Sequence, residues 1–525
     1  MSKGLVITEK PSVARDIARA LGGFEAAGDD YFENENYVVS WAVGHLLEFV
    51  APEEIDPKFK RWVLEDLPII PDEFQYSPKS GQSERLKVLK KLYARNDVTE
   101  VINACDAGRE GELIFREILW YFHKFKNAPQ PRQMRRLWLQ SMTTDAIKTG
   151  FSHLEDGHKF DGLSDAAVCR SEADWLIGIN ATRALTRRMK TRSERTAWSA
   201  GRVQTPTLAL LVDREIENLT HRPTPFWRLQ AQFQAGDHAY NGTWFDPDFK
   251  PDPDLPQKDD WITEKEQLES IAKSVQNKAG AAEETRKLQR ESARQLFDLT
   301  SLQREANSRF GYSARRTLQA AQRLYEGHKL LTYPRTDSKC LPNDYKNHVN
   351  QVLNNFSQGG DYSPFAARLK KDGLRNTKRV FDDSQVSDHF AIIPTGQRPP
   401  ASLSGDDERI FDLVMRRFLA AFYPAAEWMK VERTTVVEGQ HFRTRGRFLH
   451  TPGWYEVYGK DAAEETDILA PLGQAGASWS SQVEAKAGSL PKLKPEEALI
   501  LCDKTDSESD QTRPPARYSE ARLLS

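Results

Sequence analysis

Apolar and polar positions along the first 155 residues follow two periods in turn. Leu5-Val6-Ile7 is a short apolar run of the kind a strand buries. Pro11 suits the first position of a helix, and Val13, Ile17 and Leu21 then recur at helical spacing until Gly22-Gly23 ends the run. Residues 101–105 form a second strand-like run that leads through Asp106 into another helix. Short strands alternating with amphipathic helices predict an α/β unit. Residues from about 164 to 222 predict helix. From about 226 the alternation in Phe226-Trp227-Arg228-Leu229 predicts strands, broken by an exposed Pro/Asp-rich loop at 246–260. Helical spacing returns over about 293–428. There Ser313 is placed to cap a helix lined by Leu318, Ala321 and Leu324 and ended by Gly327. Strand-like alternation resumes over 430–458.

A β pattern on both sides of a helical one is most simply a β domain with a helical domain inserted in it. The expected organisation is multidomain, α/β plus α plus β. It comprises an α/β domain over 1–155, a helical domain from 156–222 and 505–525, a β domain from 223–292 and 430–504, and a helical domain over 293–429. A length of 525 residues is consistent with several cores rather than one. No apolar stretch approaches the ~20 residues of a membrane span and the N-terminus has no signal-peptide pattern, so a cytoplasmic protein is expected. The four cysteines, Cys105, Cys169, Cys340 and Cys502, include no CxxC pair, which points away from a disulfide framework and from zinc. Net charge is −2, so any nucleic-acid surface must come from local clustering.

Three motifs carry candidate chemistry. In Leu331-Thr332-Tyr333-Pro334-Arg335, proline biases Tyr333 toward extended backbone, and i,i+2 spacing puts the Arg335 guanidinium on the same face as the phenol. A phenol beside a fixed guanidinium suits attack on a phosphodiester, although a strand-end tyrosine with a surface arginine reads the same way. In Asp106-Ala107-Gly108-Arg109-Glu110, two acids between a strand end and a helix start can converge on Mg²⁺, or can simply be a solvated acidic helix start. Glu9-Lys10 follows the first strand. If the two strands are neighbours, it joins those acids on the rim where such sheets place ligands; a surface ion pair is the alternative.

Charge clusters in one place. Residues 181–202 hold seven cations (Arg183, Arg187, Arg188, Lys190, Arg192, Arg195, Arg202) against Glu194 alone, with Trp175 and Trp198 nearby and Trp62 after Lys60-Arg61. Cations interleaved with aromatic platforms suit single-stranded nucleic acid, while a solvated helix face and core tryptophans are the plainer reading.

In this order the motifs resemble type IA DNA topoisomerases, and most the bacterial topoisomerase III branch. The resemblance also runs through Gly44-His45-Leu46-Leu47-Glu48, Ala173-Asp174-Trp175-Leu176, Asp388-His389-Phe390-Ala391-Ile392-Ile393-Pro394-Thr395 and Thr512-Arg513-Pro514-Pro515. It implies a Toprim α/β domain, with helical and β domains forming a toroid around a DNA-sized hole; the β domain would be the hinge and the 156–222 domain would bind DNA. It implies an ATP-independent enzyme that cuts one strand through a 5′-phosphotyrosine, passes a strand and religates, relaxing negative supercoils and decatenating. Tyr333 would be the nucleophile. Glu9 would be the general acid at the departing 3′ oxygen and lie near the metal. Lys10, Arg335 and His389 would position the scissile phosphate, and Asp106 and Glu110 would hold Mg²⁺ with Glu9. Trp62, Arg170, Trp175, Arg183 and the run Ser199, Ala200, Gly201, Arg202, Val203, Gln204 would contact DNA.

The implied substrate is DNA with a single-stranded stretch, with a helicase as a candidate partner. A monomer associated with a bacterial nucleoid is expected. ATP is not expected, since no GxxxxGK[ST] pattern occurs. Two departures stand out. Many relatives carry a third acid where this chain has Gly108, so an acid introduced there is expected to strengthen the grip on Mg²⁺. The tetracysteine zinc tail is absent. The helix begun by Ser519 stops at Ser525, too short to stand alone, so the chain is expected to be truncated, leaving Leu185, Leu208 and Leu211 under-covered. Rival readings are a Toprim nuclease or primase, which has no need of Tyr333, and a truncated relative acting mainly as a single-stranded-DNA-binding protein.

Overall fold

A computed structural model describes residues 2–124, 130, 132–191, 193–252, 257–459, 492–493 and 499–525. Arg192 of the basic run and residues 253–256 of the Pro/Asp-rich loop lie outside the described residues.

The N-terminal unit is built on a seven-stranded sheet. Its order is Glu25–Ala27, Tyr31–Glu33, Tyr37–Trp41, Lys3–Thr8, Val98–Ala104, Gln133–Arg136, Glu155–Asp156. Lys3–Thr8 is central and parallel to both neighbours, Leu5 opposite Val38 and Thr8 opposite Ala104. A strand covered on both faces must be apolar on both, and Leu5, Val6 and Ile7 are all fully buried. Helix Pro11–Leu21 buries Ala14, Ile17, Ala18 and Ala20 against the sheet, with Val13 and Leu21 at the margin, and ends at Gly22 with φ 75°. The Thr8/Ala104 pairing decides where the chemistry lies, because Glu9 and Asp106 leave the sheet at adjacent strand ends.

A closed six-stranded barrel takes strands from two distant stretches. Its order is Pro225–Ala235, His238–Trp244, Gln440–Thr451, Ala426–Val437, Ala279–Glu291, Leu499–Gln511. Glu291 pairs with Ala426, so the intervening chain leaves and re-enters the barrel at one point. That intervening chain is helical, with Leu299–Phe310, Ala314–Glu326, Lys346–Phe356, Ser363–Asp372 and Gly405–Ala421 sharing one core. The second β stretch starts at Ala426 rather than 430. Its last strand runs past residue 504 to Gln511, so residues 505–511, expected to belong to the 156–222 helical domain, are barrel strand. Residues 503–510 are polar, and the strand is held by its ladder with Pro225–Ala235 rather than by an apolar face. In helix Ala314–Glu326 the Ser313 hydroxyl accepts from the Arg316 amide, as its position predicts. The buried stripe is Thr317, Ala320, Ala321 and Leu324, with Leu318 only half-buried, because a small-residue face packs against Gly405–Ala421.

Helices Asp161–Met189 and Gln204–Thr220 form the remaining helical part. Gln204–Thr220 buries no residue, and Leu185, Leu208 and Leu211 are exposed. The terminal turn Glu520–Leu523 is held by tertiary contacts: the Ala314 amide donates to the Glu520 carboxylate and the Ala521 amide to Asn307 Oδ1. No helix among the described residues is long and apolar enough to cross a membrane.

Candidate active site

The rim is built from backbone outward. The Glu9 carbonyl accepts from the amides of Val43 and Gly44 at 2.8 and 3.3 Å. Val43 makes that reach with φ 87°, a conformation a β-branched residue adopts only under constraint. Across from it, the fully buried Arg136 guanidinium donates to the carbonyls of Asn103, Cys105, Leu137 and Asp106 and pairs with Glu112. Asn103 Nδ2 also donates to Glu112. Glu112 is thus a structural anchor, and Arg136 is a site-forming residue that the motif reading missed, since an arginine in a strand gives no sequence signal of burial. A Cβ at Gly111 would stand 2.2 Å from the Asp106 carbonyl, so only glycine lets the helix start approach the strand end.

The tyrosine arrives from the helical body. Leu331 bridges Pro394, the Thr332 amide donates to the Ile393 carbonyl, and the Ile393 amide donates to Thr332 Oγ1, tying the Tyr333 and His389 motifs into one unit. This is a single bridge rather than a continuous strand. The unit meets the rim through several contacts. His389 Nε2 lies 3.0 Å from Asp106 Oδ2, and Ser141 and Thr143 hydroxyls donate to Asp344. Gln140 Nε2 donates to the carbonyls of Val386 and Ser387. The Tyr333 ring is 4.5 Å from the His389 ring and 4.0 Å from Lys10 Nζ. Lys10 in turn donates to Asp106 Oδ2 at 2.5 Å and lies 3.3 Å from Glu9. Glu9, Lys10, Asp106, Tyr333 and His389 therefore converge. Arg335 is exposed, with no hydrogen bond or ion pair among the described residues, and acts on the phenol through its charge alone.

Burial, reinforced by the Asp106 charge and opposed by Lys10, raises the Glu9 carboxyl from 4.5 to about 6. Burial works against ionisation of Asp106, but His389 and Lys10 outweigh it and hold that carboxyl below its usual range. Burial pulls Lys10 down, and Asp106 and Glu9 more than offset this. The Tyr333 phenol is raised, chiefly by burial, with Lys10 and Arg335 pulling it back.

Glu9 and Asp106 both approach Lys10 Nζ, at 3.3 and 2.5 Å, a pair of hard oxygen donors that suits a largely hydrated Mg²⁺. Glu110 is not brought to them. Its exposed carboxylate faces His45 Nε2 at 3.2 Å, and His45 Nδ1 meets Glu117 on the other side. Among the described residues no group of three or more His, Cys, Asp or Glu is poised to hold an ion.

The expected DNA-contacting residues divide. Arg183 is 4% exposed and braces a loop: it donates to the Phe59 carbonyl, approaches Glu53 and lies over the Trp62 ring at 5.0 Å. Trp175 is half-buried edge-on against Phe74. Arg170, Ser199, Arg202, Val203 and Gln204 are exposed, Gly201 is half-buried and Ala200 is buried. Thr182 and Thr186 hydroxyls hold the Ala200 and Trp198 amides, so this loop is zipped onto helix Asp161–Met189, and Arg202 is paired with Asp174.

Comparison with known proteins fits this arrangement. The DNA topoisomerase family model matches residues 158–525 and the Toprim domain matches residues 4–138. DNA topoisomerase 3 of Bacillus cereus is 39% identical over 528 residues, and that of Bacillus subtilis 38% over 533. Each alignment covers 100% of this chain and 67% of the relative. Full-length topoisomerase I from Thermotoga maritima matches in structure with a TM-score of 0.62 at 20% identity, covering 99% of this chain and 74% of that one. The chain belongs to the type IA DNA topoisomerase family.

Proposed function

We propose that Tyr333 cuts one strand of DNA by transesterification and that the same centre reseals it. The Tyr333 Oη–phosphorus bond forms as the bond to the 3′ oxygen breaks. The phenol gives up its proton to solvent water, and protonated Glu9 delivers one to the departing oxygen, to be reprotonated from solvent. Reversal restores the strand, and because the phosphodiester is exchanged rather than hydrolysed, no ATP is needed. Lys10, His389 and Arg335 supply positive charge and hydrogen-bond donors where the phosphate must sit. Mg²⁺, held by Glu9 and Asp106 and by Glu110 if it turns from His45, would supply charge that orders the DNA backbone.

The observation that carries this reading is the convergence of the Tyr333 ring, Lys10 and His389 on Asp106. A nuclease or primase of the Toprim kind has no use for that tyrosine, and a DNA-binding relative has no use for the rest. The substrate is DNA with a single-stranded stretch, such as a helicase exposes, met by a monomer at a bacterial nucleoid. The deciding experiment is trapping of a covalent adduct with an end-labelled single-stranded oligonucleotide. Adduct on the 5′ phosphate is expected with the wild type and none with Tyr333→Phe, with oligonucleotide binding retained. An adduct mapped to another tyrosine would overturn the assignment.

A further inference from the structure

Tyr325 lies in the last turn of helix Ala314–Glu326, and its ring stands T-shaped to that of Tyr333, with centroids 5.4 Å apart and planes at 71°. The aromatic quadrupole favours that arrangement. Neither phenol makes a hydrogen bond among the described residues, so the side chain of Tyr333 is oriented by contacts to its ring. Three polar or aromatic groups supply them: Lys10 Nζ at 4.0 Å from the ring centroid, the His389 ring at 4.5 Å and Tyr325. Lys10 and His389 each also bond Asp106. Tyr325 has no such second commitment.

The turn between the two tyrosines is tightly built. The amides of Gly327 and His328 both donate to the Arg323 carbonyl, and the Leu330 amide donates to the Leu324 carbonyl at 2.8 Å. Lys329 sits at φ 56°, a left-handed conformation that an L side chain holds only where its surroundings impose it. Thr395 imposes it from outside the turn: its hydroxyl donates to the Lys329 carbonyl at 2.7 Å and its amide to the Leu330 carbonyl. Leu324 and Leu330 are buried in the core of the helical body. The Lys329 ammonium, in turn, lies 5.7 Å from the centroid of the Tyr325 ring. The spacing of the two tyrosines is thus fixed by backbone and core.

We propose that Tyr325 is a positioning residue for strand cleavage, its ring holding the Tyr333 phenol at the orientation from which it attacks. Lys10 and His389 are then left to serve the phosphate and Asp106. This inference rests on the reading of Tyr333 as the nucleophile. An aromatic that only filled space could be exchanged for an apolar side chain of similar volume. One that orients a neighbouring ring through its quadrupole must stay aromatic, and it has no need of its hydroxyl.

The test is single-turnover adduct formation by the whole chain at saturating end-labelled single-stranded oligonucleotide, with oligonucleotide affinity measured separately. Tyr325→Leu and Tyr325→Met keep good helix formers at this position. Both should slow adduct formation about tenfold, the upper worth of an aromatic pair, with affinity unchanged. Tyr325→Phe should cleave at the wild-type rate, a rescue that a hydroxyl-dependent role would not give. Wild-type rates in both Leu and Met would overturn the proposal. So would a Phe variant as slow as Leu, or a loss in Leu and Met that follows weakened affinity. An adduct at Tyr333 in the wild type, with no slowing in Leu or Met, sinks this inference and leaves the transesterification standing. No adduct at Tyr333 in the wild type sinks both.

Discussion

Lys10 Nζ donates to Asp106 at 2.5 Å while lying 4.0 Å from the centroid of the Tyr333 ring. The first contact is within the rim and the second crosses to the helical body, so one ammonium joins the acid pair to the tyrosine. In the proposed reaction two roles compete for it: neutralising Glu9 and Asp106, and stabilising charge on the phenolate and phosphate.

Lys10→Met separates those roles, since it keeps all but the last atom of the side chain and removes the charge. Adduct formation should slow by roughly 10²-fold, the scale for losing one preorganised charge donor. Mg²⁺ should bind more tightly, because Asp106 Oδ2 loses the nearer of its two partners and keeps only His389. Single-turnover cleavage and calorimetry read the two effects. Slower cleavage with weaker Mg²⁺ binding would mean that Lys10 organises the rim rather than competing for it.

Glu9 predicts a pH dependence. Its carboxyl stands at about 6 against an ordinary 4.5, so the fold favours the protonated form. That stabilisation is present below pH 4.5 and is lost as pH rises through about 6, a loss of about 2 kcal/mol. Glu9→Gln stays neutral throughout. In chelator it should match the wild type near pH 4.5 and exceed it by up to that amount at pH 8. Urea midpoints measured across the range check this; a difference that stays flat with pH would mean Glu9 is not held up by its surroundings.

Much of this was legible in the chain. The Leu5-Val6-Ile7 strand, the Pro11 helix start and the Ser313 cap are local signals, fixed by sterics and by one hydrogen bond, and they appear where the pattern puts them. The barrel was half-legible. Alternation marks its apolar strands, but Leu499–Gln511 is held by a partner more than 260 residues away and its polar side chains announce nothing. At the site, the spacing of Glu9, Asp106 and Tyr333 told of chemistry, whereas the fate of each cation depended on tertiary partners. Arg183 is spent on a loop carbonyl, Arg335 has no partner among the described residues, and Arg136 is buried under the rim.

Arg136 yields the strongest stability prediction. Its guanidinium is 1% exposed and serves four carbonyls at the ends of two strands, besides pairing with Glu112. Those carbonyls shape the turn that delivers Asp106, so removing the donor both strands a buried acid and frees the turn. Glu112 would keep Arg116 and Asn103 as partners, which softens the loss without abolishing it. Arg136→Met fills much of the volume but supplies no donor, and should destabilise the Toprim unit by about 3–5 kcal/mol. Arg136→Lys keeps the charge but cannot reach four carbonyls from one planar fork, so it should recover only part of that loss. Hydrogen exchange at the amides of residues 103–112 is the measurement that localises the effect. Faster exchange confined to this turn and its strand is expected in both variants, larger in Met. Exchange as slow as in the wild type would mean that the backbone holds the turn without its arginine.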